Sequence, residues 1–265
     1  WVALLSASLA FALPPGAGGD DYIQLTAPQA KEVLHDFRAS RLNGDLCFKF
    51  EVTHKPRRGE ATPAVPGVLW AGWSSEGPRV RVELRPPGGE PALAFIATKS
   101  AEGSRLWLRR GGVTVENPRT DEPLAPGLLL VPSDLALPYT HWEETHYEKT
   151  ERSRGRPVHF FLATNPAKAD PAKVSFALDR TYGALVQATY LDGTGVACRT
   201  LQVEEFSQVD EQWILGSCSV RDEATRDIDL LKVTEAAVRR RFEPATFDPA
   251  TLDRPAPLPT GFKPL

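Results

Sequence analysis

From Leu46 onward the chain alternates between apolar and polar positions. Leu46, Phe48, Phe50 and Val52 are apolar, and Cys47, Lys49, Glu51 and Thr53 fall between them. A period of two is that of a half-buried strand. Similar short runs follow at 68–73, 79–84, 92–98, 105–108 and 112–116, and again at 143–152, 157–164, 173–179, 184–191, 196–206, 212–221 and 228–233. Gly and Pro pairs punctuate the first set, and Arg180-Thr181-Tyr182-Gly183 and Asp192-Gly193 are hairpin signals in the second. The pattern predicts an antiparallel, mainly β chain.

Two stretches break this period. Over 26–42, Ala30, Val33, Leu34 and Phe37 recur at helical spacing. Thr26 can cap, Pro28 fits the first turn, Gln29 stands three residues after the cap, and Asn43-Gly44 ends the helix. Over 117–139, Leu124, Leu128, Leu129, Leu130, Val131, Leu135 and Leu137 lie among Pro123, Pro126, Pro132 and Pro138. This apolar but interrupted run predicts short helical turns or a lid-like crossing segment, with Ser133-Asp134 able to cap one turn. From about 243 the tail is rich in Pro and Asp and predicts a loosely packed strap.

Composition narrows the class. The chain has 265 residues, 42% hydrophobic and 25% charged, with 24 Pro and 20 Gly. That suits many short strands and one domain over 20–265. A net charge of -3 gives no whole-domain attraction for nucleic acid. The short basic run Arg239-Arg240-Arg241 reads as a solvated face. Residues 1–13 form an apolar run too short to span a bilayer but right for the core of an export signal over 1–19, its charged start lying upstream. Cleavage fits after Ala10-Phe11-Ala12 or Ala17-Gly18-Gly19; a buried N-terminal element is the alternative. The first cysteine is Cys47, so no lipid-bearing cysteine follows the run, and no other stretch is long and apolar enough to cross a membrane as a helix. The expectation is an exported, unanchored protein. Cys198 and Cys218 lie on neighbouring candidate strands, so either a disulfide or free thiols is open.

Catalytic patterns are missing from the sequence. His141 and His146 flank Glu143 and Glu144, but five residues separate the histidines. That spacing puts them on opposite faces of a strand and off the helical ligand spacing, so no metal site is expected. No G-x-S-x-G elbow and no phosphate-cradling loop followed by a strand–helix unit occurs. No catalytic residue or cofactor is assigned. The positive signal is apolar wall: more oily strand surface than one helix covers. Taking one face per strand by parity, the candidate cavity-lining residues are Phe48, Phe50, Val52, Val80, Val82, Phe160, Leu162, Phe176 and Leu178. Whether the space they face is hollow or filled is open at this point.

The order of several turn and strand motifs adds to this. Asp134-Leu135 with Leu137-Pro138 and Trp142, Gly155-Arg156-Pro157-Val158 with Asn165-Pro166, and Ser175-Phe176-Ala177-Leu178-Asp179 running into Tyr182-Gly183-Ala184-Leu185 come in sequence. They are followed by Tyr190-Leu191-Asp192-Gly193-Thr194-Gly195, Val203-Glu204-Glu205-Phe206 and Val209-Asp210-Glu211-Gln212-Trp213. Together with Phe37-Arg38, Gly44-Asp45 and Leu69-Trp70, the stretch from about 26 to 252 resembles the outer-membrane lipoprotein-sorting, LolA-like family. The resemblance implies a mainly β (α+β) fold: an incomplete antiparallel β-barrel of about ten to eleven strands with helices covering the concave face. It implies a periplasmic carrier that shelters the acyl chains of lipoproteins or other lipids and exchanges them with inner- and outer-membrane delivery proteins. It also implies an arginine that holds the lid, for which Arg38 and Arg41 are the candidates. The alternative with the same fold is a non-enzymatic envelope sensor or scaffold that binds a protein partner.

Overall fold

A computed structural model describes residues 22–85, 92–100, 103–117 and 122–265, so the export signal expected over 1–19 lies outside the described residues. The chain begins with helix α1 (Ala27–Ala39) and then runs through β1 (Asp45–Lys55), β2 (Val65–Trp73), β3 (Pro78–Leu84), β4 (Leu93–Ser100), β5 (Gly103–Arg110) and β6 (Val113–Glu116). A crossing segment contains the short helix α2 (Pro132–Ala136) and a 3-10 turn, Pro138–His141. Then come β7 (Thr145–Ser153), β8 (Arg156–Thr164), β9 (Lys173–Asp179), β10 (Leu185–Leu191), β11 (Ala197–Val209), β12 (Gln212–Asp222), β13 (Ile228–Arg240) and the two-residue β14 (Lys263–Pro264).

All the strands belong to one 14-stranded sheet in the order β6-β5-β4-β3-β2-β1-β13-β12-β11-β10-β9-β8-β7, with β14 beside β13. The paired strands are antiparallel. Two sequential meanders are thus joined along one seam, where β1 pairs with β13 from Asp45↔Arg240 to Lys55↔Ile228. The strand count exceeds the ten to eleven implied by resemblance. Each run with a two-residue period became a strand, and the chain's own punctuation was the better guide. β13 also runs seven residues past its expected end. Thr234-Glu235-Ala236-Ala237 has weak strand propensity, but its pairing with β1 overrides that. Helical cover is sparse: α1 is the one long helix among the described residues, and α2 has five residues.

Local chemistry explains α1. The Thr26 N–H donates to Gln29 Oε1 at 2.9 Å, Pro28 occupies the first turn, and Ala30, Leu34 and Phe37 form the buried stripe. The helix stops at Ser40, before the expected Asn43-Gly44, whose glycine instead turns the chain into β1 at φ 86°. Gly67 is required by packing, since a Cβ there would meet the Phe50 ring at 2.3 Å.

The sheet buries both faces unequally. The inner face carries the main core, to which α1 and the crossing segment add Leu34, Phe37, Leu124, Leu130, Leu135 and Tyr139. The outer face of β1–β4 carries two small clusters, Cys47, Val68, Trp70, Phe247 and Ala256, and Ala94, Ile96 and Leu252. These bring the tail onto the sheet, so the strap is closely docked, contrary to the loose packing expected. Arg81, 1% exposed, donates to the carbonyls of Thr246, Thr251 and Arg254 at 3.2, 3.1 and 2.7 Å, and to Glu83 at 2.8 Å. Glu83 in turn accepts the Ala256 N–H at 2.8 Å. Over 244–257 the proline-rich backbone forms no ladder with the sheet, so buried charges satisfy its carbonyls.

The disulfide is corrected by register. Cys218 stands opposite Val203, and Cys198 lies one position beyond Arg199, which faces Asp222. The two thiols are five rungs apart on adjacent strands, far outside bonding reach, and all three cysteines are free.

Candidate functional site

The inner face gathers most of the residues expected there. Phe48, Phe50 and Val52 of β1, Val80 and Val82 of β3, and Phe176 and Leu178 of β9 all belong to the main cluster. Their partners agree in parity: Phe48 faces Leu69, Val82 faces Leu69 and Phe95, and Val52 faces Leu231. Phe160 and Leu162 do not join them. On β8 it is Phe161 that faces Phe176, with the rings stacked at a centroid distance of 5.7 Å, and Ala163 that faces Val174. Phe160 points to the outer face, where the Lys149 ammonium lies 5.4 Å from its ring. β8 is apolar on both sides, so parity alone had nothing to choose between them.

In this structure the inner wall is covered. Phe50 is 1% exposed, and Phe176 and Leu178 are fully buried. Aromatic contacts join the wall to its cover. Phe37 of α1 lies 6.3 Å from Phe176, and Tyr139 of the crossing segment lies 5.9 Å from Phe176 and 5.7 Å, edge-on, from Tyr190.

Arg110 of β5 donates to the Pro123 carbonyl and to Glu122 at the exposed start of the crossing segment, and three further, buried polar latches hold the rest of it. From α1, Arg38 donates through Nε to the Thr140 carbonyl at 2.7 Å, and through one terminal nitrogen to the Trp142 carbonyl at 2.8 Å and Thr145 Oγ1 at 3.2 Å. Burial lowers its pKa below the usual guanidinium range. Arg41, the other candidate, instead stacks 4.4 Å above the Trp73 ring. From β11, Arg199 reaches Asp134 Oδ1 at 3.1 Å and lies over the Tyr190 ring at 4.5 Å. Asp134 is completely buried, and its other oxygen accepts the Val131 N–H at 2.9 Å, which caps α2. Burial pushes this carboxyl up, and Arg199 opposes the shift. From β13, Asp229 accepts the N–H groups of Leu129 and Leu130 at 2.6 and 2.8 Å, while its Oδ1 meets His54 Nδ1 at 2.8 Å.

Arg199 and Asp229 were not singled out from the sequence, yet a signal was there. Arg199 shares parity with Leu201 and Val203, and Asp229 with Leu231 and Val233, all of them core residues. A charge at an inward position of an apolar strand face must have a buried partner. The histidines behave differently. His146 is exposed on β7, whereas burial, with Arg38 and Lys99 adding to it, lowers His141 to about 3. Among the described residues no group of three or more His, Cys, Asp or Glu is placed to hold a metal ion, and no helix is long and apolar enough to cross a membrane.

One open antiparallel sheet with an apolar inner face, a single long helix among the described residues and a latched crossing segment defines the class: a mainly β, open-barrel-like fold. No family model matches the chain, and no curated protein sequence does. Among solved structures it is similar to an outer membrane lipoprotein-sorting protein domain from Vibrio parahaemolyticus (TM-score 0.74, 16% identity, 86% of this chain and 100% of that one). It is also similar to a DUF1329 family protein from Desulfovibrio piger (0.71, 8%, 85% and 98%) and a LolA superfamily protein from Nitrosomonas europaea (0.61, 13%, 84% and 98%). At these identities the likeness is one of fold.

Proposed function

We propose that this chain is a non-enzymatic periplasmic carrier that shelters acyl chains of lipoproteins or other lipids against the inner face of its sheet. α1 and the crossing segment serve as the cover that the cargo displaces. The observation that carries the reading is the crossing segment itself. Its leucines occupy the apolar face of a fold shared with a lipoprotein-sorting domain, and its buried polar bonds to the rest of the chain run through Arg38, Arg199 and Asp229.

The energetics suit reversible exchange. An acyl chain burying about fourteen methylenes at about 0.8 kcal/mol each gains on the order of 11 kcal/mol. Lifting a handful of buried leucines, at about 1.5–3 kcal/mol each, costs a similar amount. A near-balanced exchange loads and unloads; a large imbalance in either direction would trap the cargo or exclude it. Delivery proteins of the inner and outer membranes would tip that balance.

Native mass spectrometry of the protein purified from the cell envelope, followed by uptake of a fluorescent fatty acid, tests this. The expected result is co-purified lipid, and about ten-fold tighter probe binding in Arg38→Ala, where the cover is less firmly held. An apo mass in repeated preparations, with no probe uptake by either form, overturns it. The protein-binding reading of the same fold is favoured by one observation, an incompletely paired stretch of β13.

A further inference from the structure

β12 pairs with β13 only from Ser217↔Lys232 to Arg221↔Ile228. Its first five residues stay with β11 but leave β13. The departure is built in: the β11–β12 ladder shifts register on both sides of Glu205, and Gly216 sits where a Cβ would meet Ser207 Oγ at 2.6 Å. Gln212 then ties the diverging end to Asn43, accepting its N–H at 3.1 Å and donating to its carbonyl at 3.3 Å. The outer half of β13 therefore has β1 on one side and a slot on the other.

The chain places its own residues in that slot. β14 pairs through Glu235↔Pro264 and Ala236↔Lys263, and the Leu265 N–H donates to the Thr234 carbonyl at 3.0 Å. The side-chain contacts are few. The Lys49 ammonium lies 4.6 Å from the Phe262 ring, Lys263 pairs with Asp210 at the β11–β12 turn, and Arg240 donates to the Gly261 carbonyl at 3.4 Å. Lys263, Pro264 and Leu265 are all exposed. The rim carries paired charges: Glu235 with Lys49, Glu211 with Arg239, and Asp210 with Lys263 of the tail itself, so Asp210 is the carboxylate left to a partner when the tail lifts.

We propose that this slot is a strand-accepting site for an extended segment of a partner protein, one carrying an aromatic residue followed by a basic residue, and that residues 261–265 are its occupant in cis. Ladder bonds to β13 would supply affinity in such a site, and Asp210 and the Lys49 stem would supply the choice of side chains. A tethered competitor held by two ladder pairs masks an edge without sealing it, because its strength lies in its effective concentration rather than in its contacts. The proposal concerns the sheet edge and stands or falls separately from acyl binding on the inner face.

A fluorescein-labelled peptide with the sequence of residues 259–265, followed by fluorescence anisotropy, tests it on the full chain. Wild type should bind weakly. Lys263→Glu, which sets like charges against Asp210 and frees the slot, should bind at least about ten-fold more tightly. Adding Asp210→Lys to Lys263→Glu restores a cis pair of reversed sign and should remove the gain. A chain shortened by residues 261–265, its fold checked by circular dichroism, should bind as tightly as Lys263→Glu. Equal binding by wild type and Lys263→Glu, or a gain that survives the charge reversal, overturns the proposal.

Discussion

The crossing segment on the inner face and the strap on the outer face are both proline-rich, irregular and dependent on buried charge, yet they are held in different ways. The strap contributes few apolar side chains, chiefly Phe247, Leu252 and Ala256. Its backbone is gripped instead by a dense cluster on one strand, Arg81, Glu83 and the adjoining Arg85, with Trp70 Nε1 donating to the Pro257 carbonyl at 3.2 Å. The crossing segment inverts that balance. Its leucines join the main core, and its polar contacts come singly from α1, β11 and β13, with an exposed one from Arg110 of β5. Apolar contact is non-directional, so another oily surface can replace it; a buried guanidinium with five fixed donors cannot be satisfied by a substitute. Under the proposed carrier role the strap is the fixed cover and the crossing segment the displaceable one.

The sharpest way to break this comparison is Arg81→Ala. It leaves the buried Glu83 with Arg85 as its one cation and strands several strap carbonyls, and should cost about 3–5 kcal/mol in urea unfolding or prevent folding altogether. A loss below about 1 kcal/mol would put the strap on the same footing as the crossing segment. A smaller effect is expected from Asp229→Ala, about 2 kcal/mol, because water can reach the Leu129 and Leu130 N–H groups once the segment lifts. Hydrogen exchange should speed up at those two amides and stay unchanged at Ala256; parallel acceleration at both would show that the two covers open together.

The smallest effect concerns pH. Folded His141 refuses protons until about 3, whereas the unfolded chain takes one up near 6.5. The unfolded state therefore binds more protons in that window, and stability should fall as pH drops from 6.5 towards 3 and be level above it. His141→Asn should flatten the difference between urea midpoints at about pH 7.5 and about pH 4.5. Because His141 follows Thr140, whose carbonyl Arg38 holds, the loss should appear first as faster exchange in the crossing segment.

Much of the sheet was legible because its strands alternate cleanly: Phe48, Phe50 and Val52 could face only one way once one of them was buried. β8 was not legible, since Val158, Phe160, Phe161 and Leu162 offer oil to both faces and only the pairing of Phe161 with Phe176 decides. Arg38 could be reached through resemblance. Arg199 and Asp229 needed the rule that charge on an apolar face must find a partner, together with partners, Asp134 and the Leu129–Leu130 backbone, that lie far away in sequence. The Cys198–Cys218 pairing failed because adjacency of strands says nothing about rung. The strap's docking was hidden for a related reason: Arg81 and Glu83 sit in an ordinary alternating strand, and nothing local marks their outer face as destined for cover.

The seam between β1 and β13 has a consequence for biogenesis. Lys49 meets Glu235, 186 residues along the chain. Until that late stretch has been synthesised and delivered, the first meander presents an open, oily margin with nothing to zip against. Closing so long a loop is slow. The interval before closure is when the polypeptide is most exposed to aggregation and most in need of a chaperone's hold.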